Sequence, residues 1–239
     1  MFFDTLITGA NNLVWSLPLV GLLLLTGLYF SLRTLFLQVR CIPDMLNQLR
    51  KGEASPDGTS SFQSLMMSLA GRVGMGNIGG VATAIAIGGP GAVFWMWLVA
   101  LLGSATSFVE CCLAQIYKET DRDTGEYRGG PAFYIEKGLG LKWYAWLFAV
   151  VTVFACGLLL PGVQANSIAS SVNTAFGIDP NVTAAVLAVL IGLIIFGGVK
   201  RIAHFTQVVV PFMALGYILV ALVIILLNIG KLPEVVMLI

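Results

Sequence analysis

Six long apolar runs separated by short polar stretches set the pattern of this chain. Residues 13–32 form the first: 20 predominantly apolar positions ending at Arg33, enough to cross about 30 Å of hydrocarbon as a helix. A polar connection follows over residues 33–62. Within it, residues 43–49 read as a short interfacial helix and residues 52–61 as loop. The second run, residues 63–88, would measure about 39 Å as one continuous helix, more than a membrane core requires. That excess predicts a helix broken into two halves. Gly88-Gly89-Pro90-Gly91 then makes a tight turn into the third run, residues 92–117, where Phe94, Trp95 and Trp97 sit as an interfacial aromatic belt.

A second polar connection occupies residues 118–142, broken at Arg128-Gly129-Gly130-Pro131, with residues 132–139 lying along the membrane surface. The fourth run, residues 143–171, carries an interruption at Pro161-Gly162, and residues 173–181 form an outer loop. The fifth run is residues 182–199. A basic turn with Lys200, Arg201 and His204 leads to the sixth, residues 205–228, which contains Pro211. The pattern predicts an all-α polytopic membrane protein: a leading transmembrane helix in residues 1–33, a cytoplasmic connection in 34–62, and a core in 63–239.

Composition agrees with the pattern. Hydrophobic residues make up 58% of the 239 positions and charged residues only 10%, against about 25% charged in soluble domains. A net charge of +1 gives no pull toward nucleic acid, and no nucleic-acid partner is expected. The first run has no basic leader and is too long for a signal peptide, so it reads as a retained helix. Cys41, Cys111, Cys112 and Cys156 lack metal-type spacing and read as small apolar residues. With one histidine and no close pair of carboxylates inside the spans, an intramembrane enzyme finds little support. The distribution of charge is more informative. Eleven of the 13 Lys and Arg lie in residues 33–51, 118–142 and 200–201. Six alternating spans put those three places on one side, which the positive-inside rule assigns to the cytoplasm, with the amino terminus outside.

The densest chemistry lies inside the second run, at Ala70-Gly71-Arg72-Val73-Gly74-Met75-Gly76-Asn77-Ile78-Gly79-Gly80. Each helix-interior glycine costs about 1 kcal/mol relative to Ala. In lipid, backbone groups loosened this way persist only in a protein interior or beside a polar cavity. Glycine-interrupted membrane helices point to the substrate and ion site of a transporter. The spelling G-x-G-x-x-G from Gly74 to Gly79 also matches a dinucleotide fingerprint, but the flanks are membrane runs and no acidic residue stands about 20 positions on. A tight helix-packing seam of small residues remains the plainer alternative.

Arg72 and Glu110 are the clear charges within spans. Counted from the cytoplasmic ends, both lie roughly 10–14 Å deep on neighbouring antiparallel helices, which predicts that they pair. Such a pair is either a gate on cytoplasmic access or a structural clamp. Gln164 and Asn166, just after the Pro161 interruption, are mid-depth amides that suit a zwitterionic substrate or an interhelical hydrogen bond. Asn77 could offer its carbonyl oxygen to a cation. Thr83, Ser104, Thr106 and Ser107 are expected to bond back to their own helices, and His204 to be a surface residue.

Gly74-Met75-Gly76-Asn77-Ile78-Gly79-Gly80-Val81-Ala82 and Gly88-Gly89-Pro90-Gly91-Ala92-Val93-Phe94-Trp95-Met96-Trp97 resemble the alanine/glycine:cation symporter family. Gly125-Glu126-Tyr127-Arg128-Gly129-Gly130-Pro131-Ala132 and Gly162-Val163-Gln164-Ala165-Asn166 resemble it too, so the likeness runs along the chain. The resemblance implies uptake of alanine or glycine across a bacterial inner membrane, with sodium, or protons, as the coupling ion and no other cofactor. It implies the broken-helix inverted-repeat fold of neurotransmitter:sodium symporters, of which this chain would be the leading helix and first five-helix repeat. The amides around Gly76 to Gly80 would hold the substrate carboxylate, within a substrate-binding stretch of Gly74, Met75, Gly76, Asn77, Ile78, Gly79 and Gly80, with Gln164 assisting. The carbonyls of Ala70 and Val73, with Asn77, would meet sodium. Met75 stands where the family often has a small hydroxyl residue. A second repeat, from a missing carboxy-terminal half or a partner chain, would complete both sites, so this chain is expected not to transport alone. The competing class is a passive small-solute channel or a membrane-embedded interaction subunit.

Overall fold

The computed structural model of the protein describes residues 2–51, 59–122, 125 and 127–239; most of the expected loop at 52–61, and Glu126 of the fourth motif quoted above, lie outside the described residues. The chain is helical nearly throughout. Helix α1 (Phe2–Val14) and α2 (Leu17–Arg33) follow one another across a turn at Trp15–Ser16. The first apolar run is thus divided near its start. Ser16 takes an extended cap conformation, and Pro18 falls in the first turn of α2, where a missing N–H costs nothing. Leu35 and Phe36 then adopt left-handed φ values of 54° and 49° and reverse the chain into α3 (Leu37–Arg40) and α4 (Ile42–Lys51). The helix expected within residues 43–49 is present as α4.

Helix α5 (Ser61–Arg72) starts in a capping box. The Gln63 N–H donates to Ser60 Oγ (3.2 Å), while the Ser60 N–H donates to Gln63 Oε1 (3.1 Å). It ends at the glycine cluster, and the chain resumes helix through a π-helical turn, Gly76–Gly80, into α6 (Val81–Gly88). Helix α7 (Ala92–Ile116) is followed by a feature the apolar pattern did not suggest. Strands β1 (Glu119–Thr120) and β2 (Tyr127–Arg128) pair antiparallel, Glu119 opposite Arg128. Residues expected to follow the Arg128–Pro131 break form helix α8 (Pro131–Leu139). Next come α9 (Lys142–Phe154), a π turn at Ala155–Leu159 and α10 (Leu160–Phe176). Helices α11 (Pro180–Ile195), α12 (Gly198–Leu227) and α13 (Leu232–Leu238) complete the described chain.

Four described helical segments are long and apolar enough to cross a membrane: Asp4–Arg33, Ala92–Ile116, Lys142–Phe176 and Gly198–Leu227. Gly76–Gly88 and Pro180–Ile195 are apolar but shorter. The second of the six expected spans is split, as its excess length predicts, so neither half spans by itself. The fourth and fifth need correcting. The fourth does not break at Pro161. That residue has no N–H for the Gly157 carbonyl and its ring crowds that carbonyl, and the helix responds by winding one π turn while staying continuous. The fifth stops at Ile195 because Gly198 takes φ +72°; Lys200, Arg201 and His204 then belong to the first turns of a longer α12 rather than to a loop.

Packing follows the small residues. Where α2 crosses α7, a Cβ on Gly27 would lie 3.0 Å from Leu102 Cβ and 3.2 Å from the Leu102 backbone carbonyl. Ser31 and Ala105 are fully buried at the same crossing. The small-residue seam weighed for the glycine cluster is thus found here. Helix α5 lies against α12, with Gln63 Nε2 donating to Gln207 Oε1 at 2.8 Å. The other helices keep their large apolar side chains outward, as suits a surface bathed in hydrocarbon.

Candidate functional site

The break between α5 and α6 is a change of two residues. Val73 leaves the helix at φ −95°, ψ 108°, and its N–H makes the last bond of α5, to the Leu69 carbonyl (2.8 Å). Carbonyls from Ala70 onward are therefore those a helix end leaves without an intrahelical donor. Helical winding resumes at Met75, and the Asn77 N–H donates to the Gly74 carbonyl at 3.1 Å. The polypeptide thus presents an α-helical carboxyl end and a helical amino end side by side. The first favours cations and the second anions, each through aligned peptide dipoles. The segment before Gly74 is helix, not strand, so the dinucleotide reading has no structural footing.

Gln164 closes onto this break from α10. The Met75 N–H donates to Gln164 Oε1 at 3.0 Å. Only glycine at position 74 permits the approach: a Cβ there would lie 2.7 Å from Gln164 Nε2 and 3.2 Å from Oε1. The π turn at Ala155–Leu159 lies one turn before Gln164, and the π turn at Gly76–Gly80 begins immediately after Met75. Such turns inside α-helices recur at functional sites because they re-aim the residues beyond them.

An open cleft of about 850 Å³ runs beside the contact, lined from the break by Gly74, Met75 and Ile78, from α10 by Gln164, and from α12 by Phe212 and Tyr217, among others. Its walls are chiefly apolar with a few amide, hydroxyl and backbone groups, the composition of a small-molecule site. Ser167 and Ser171 also line it, although their hydroxyls donate to the carbonyls of Val163 and Ser167. The α12 wall lies outside the residues expected at the site. Its signal is Pro211 followed by Gly216 and Tyr217 within an apolar run. Pro211 deprives the Gln207 carbonyl of its helical donor, at the level where Gln207 meets Gln63.

Most of the expected site residues gather here. Gly74, Met75, Ile78, Gly79, Val73 and Gln164 meet around the cleft. Gly76, Asn77 and Gly80 belong to the π turn just behind it, with the Asn77 side chain exposed. Ala70 sits in the last turn of α5. Asn166 is exposed on α10, away from the cleft lining.

The ion pair predicted between Arg72 and Glu110 is not formed. Arg72 does reach α7, but its guanidinium Nη2 donates to Ser107 Oγ at 2.9 Å. Counting residues from the helix ends gave depth but no direction. Ser107 and Glu110 differ by about 4.5 Å in height and 60° around the helix. Glu110 lies instead toward α8; burial, and after it the Glu110 charge, raise the Tyr134 phenol above its ordinary range. Ser107 consequently accepts from Arg72, whereas Thr83, Ser104 and Thr106 donate to carbonyls of their own helices as expected. Charges beyond the spans pair around the hairpin, Arg128 with Asp121 (2.5 Å) and Lys137 with Glu119 (2.6 Å).

Comparison with known proteins adds the family context. A family model described as the sodium:alanine symporter family matches residues 1–239. The chain is 57% identical over 233 residues to a Bacillus subtilis protein provisionally named a sodium/proton-dependent alanine carrier, covering 98% of this chain and 48% of the relative. It is 48% identical to a provisionally named sodium/glutamine symporter of the same organism, covering 96% of this chain and 48% of the relative. Over 96% of this chain and 52% of the relative, it is 44% identical to the sodium/alanine symporter of Methanococcus maripaludis. The chain spans about half the length of these curated relatives.

Proposed function

The chain belongs to the sodium:alanine symporter family, a family of transporters and not of enzymes, and from that premise we propose that it forms one half of a cation-coupled carrier for a small neutral amino acid. Alanine and glycine are the proposed substrates and sodium the proposed coupling ion, with protons the alternative. The single observation that carries this reading is the Met75 N–H held by Gln164 Oε1 at the helix break, beside an open cleft. A neutral amide oxygen there satisfies a backbone donor that a carboxylate would bind more strongly, since hydrogen bonds to an ionised acceptor are about twice as strong. The substrate carboxylate accordingly takes amides of the Gly74–Gly80 segment that the helix start leaves free, that of Met75 among them, while the Asn77 N–H stays on the Gly74 carbonyl and Gln164 turns toward the substrate. Carbonyls of Ala70 and Val73, with Asn77, face the cation at the other helix end.

Half of each relative's length lies outside the match, and the cleft is open on its remaining side. The reading therefore includes a second repeat, inverted relative to this one, that closes the cleft. The basic clusters support a bacterial inner-membrane orientation with residues 33–51 and 118–142 in the cytoplasm and the amino terminus outside. With the native cysteines replaced by alanine, labelling of Lys118→Cys by an impermeant maleimide from outside intact cells would contradict that orientation.

The direct test is uptake of labelled alanine by the complete protein in proteoliposomes. Accumulation above the external concentration is expected when a sodium or proton gradient is imposed. Downhill equilibration that ignores both gradients would contradict coupling and favour a passive channel; no flux would favour an interaction subunit.

A further inference from the structure

We propose that the Met75 side chain sets the size of the amino-acid side chain admitted at this cleft. The inference deepens the proposed function and rests on its placing the substrate carboxylate at the glycine break.

Met75 is flanked by Gly74 and Gly76, so no neighbouring side chain competes with it for the space above the break. Its own N–H is fixed by Gln164 at 3.0 Å, which anchors the Cα from which the side chain leaves. The thioether folds back over the π turn: a Cβ on Gly79 would lie 3.4 Å from Met75 Cε and 3.8 Å from Sδ. Met75, Ile78 and Gly79 line the same cleft, opposite Phe212 and Tyr217. A carboxylate seated on the amides of the turn would direct its α-carbon into the cleft that Met75 lines. On this reading the α-substituent packs against the Met75 side chain.

The chemistry of the wall fits a methyl group or a hydrogen. A thioether is apolar and adaptable, so it packs closely on a methyl. It has no donor and is only a weak acceptor, so an amide-bearing side chain pressed against it would lose its water without gaining a partner. Size discrimination of this sort is worth about tenfold or more per misplaced group in an apolar pocket. Relatives named for alanine and for glutamine carry this family's architecture at 57% and 48% identity, so the side-chain end of the cleft is where such names would have to part.

The experiment measures inhibition of labelled-alanine uptake by unlabelled glycine, glutamine and leucine in the complete protein carrying Met75→Ala, Met75→Cys or Met75→Phe. Shortening the side chain is expected to improve inhibition by glutamine or leucine, relative to alanine, by about tenfold. Met75→Phe is expected to weaken alanine more than glycine. Met75→Cys supplies the shortened side chain even where Met75→Ala does not accumulate, and, with the native cysteines replaced by alanine, its alkylation by a maleimide reports occupancy. Slower alkylation in saturating alanine is expected. Protection by alanine together with the wild-type inhibitor ranking overturns the size role alone. Alkylation indifferent to alanine overturns the carboxylate site on which the inference rests.

Discussion

Gly74 holds the site open by lacking a side chain. Its backbone is not left-handed, so alanine would fit the chain path; what alanine cannot do is share space with the Gln164 amide 2.7 Å from its Cβ. Gln164 is the flexible partner and would swing away, giving up the bond from the Met75 N–H in the empty site and, with substrate bound, its proposed hydrogen bond to the amino acid. A hydrogen bond of that kind contributes about 1 kcal/mol. Gly74→Ala is therefore expected to raise the KM for alanine by about five- to tenfold while leaving the amount of protein in the membrane unchanged, read by uptake kinetics beside quantitative immunoblotting. An unaltered KM would contradict the contact's role. Both partners were legible in the sequence as separate signals, a glycine inside a membrane run and a mid-depth amide. Their contact was not, because 89 positions separate Met75 from Gln164 and no local rule fixes the rotation of one helix against another. Arg72 shows the same limit: its depth was legible, yet it found Ser107 rather than Glu110.

At the scale of elements, two irregular turns aim the site. The excess length of residues 63–88 announced the split between α5 and α6, because a continuous helix would overshoot the hydrocarbon. Pro161 announced an irregularity in the fourth run but not its form. The π turn at Ala155–Leu159 absorbs the missing N–H without breaking the helix. Pro161→Ala restores a donor to the Gly157 carbonyl and favours regular α-winding. Loss of the extra residue in that turn rotates the rest of α10 by about 100°, carrying Gln164 off Met75. Alanine uptake by the complete protein is expected to fall at least tenfold, about one residue's rotation being enough to misalign a bound group. Thermal stability in detergent should hold or rise, since an interior proline costs a helix about 3 kcal/mol. Wild-type uptake would show that the π turn does not position Gln164. The short fifth helix, ending before the left-handed Gly198, and the division of the first run at Trp15–Ser16 lay beyond hydropathy. An apolar run records the solvent around a segment, and turns inside it are set by single residues.

For the whole molecule, an apolar exterior, basic clusters at alternate connections and a cleft at a helix break all belong to one account. The fold class was legible because lipid obliges backbone polar groups to bond within helices. The α12 wall of the cleft was not, since Phe212 and Tyr217 read in sequence as ordinary apolar positions of a span. The central claim is that the break binds the carboxylate of an amino acid. It is tested most directly by comparing alanine with alaninamide, which keeps the methyl and ammonium groups but carries no carboxylate charge, as inhibitors of gradient-driven alanine uptake by the complete protein. The account predicts that unlabelled alanine competes and alaninamide, at a hundredfold higher concentration, does not. Equal inhibition by the two would contradict a carboxylate held at Gly74–Gly80.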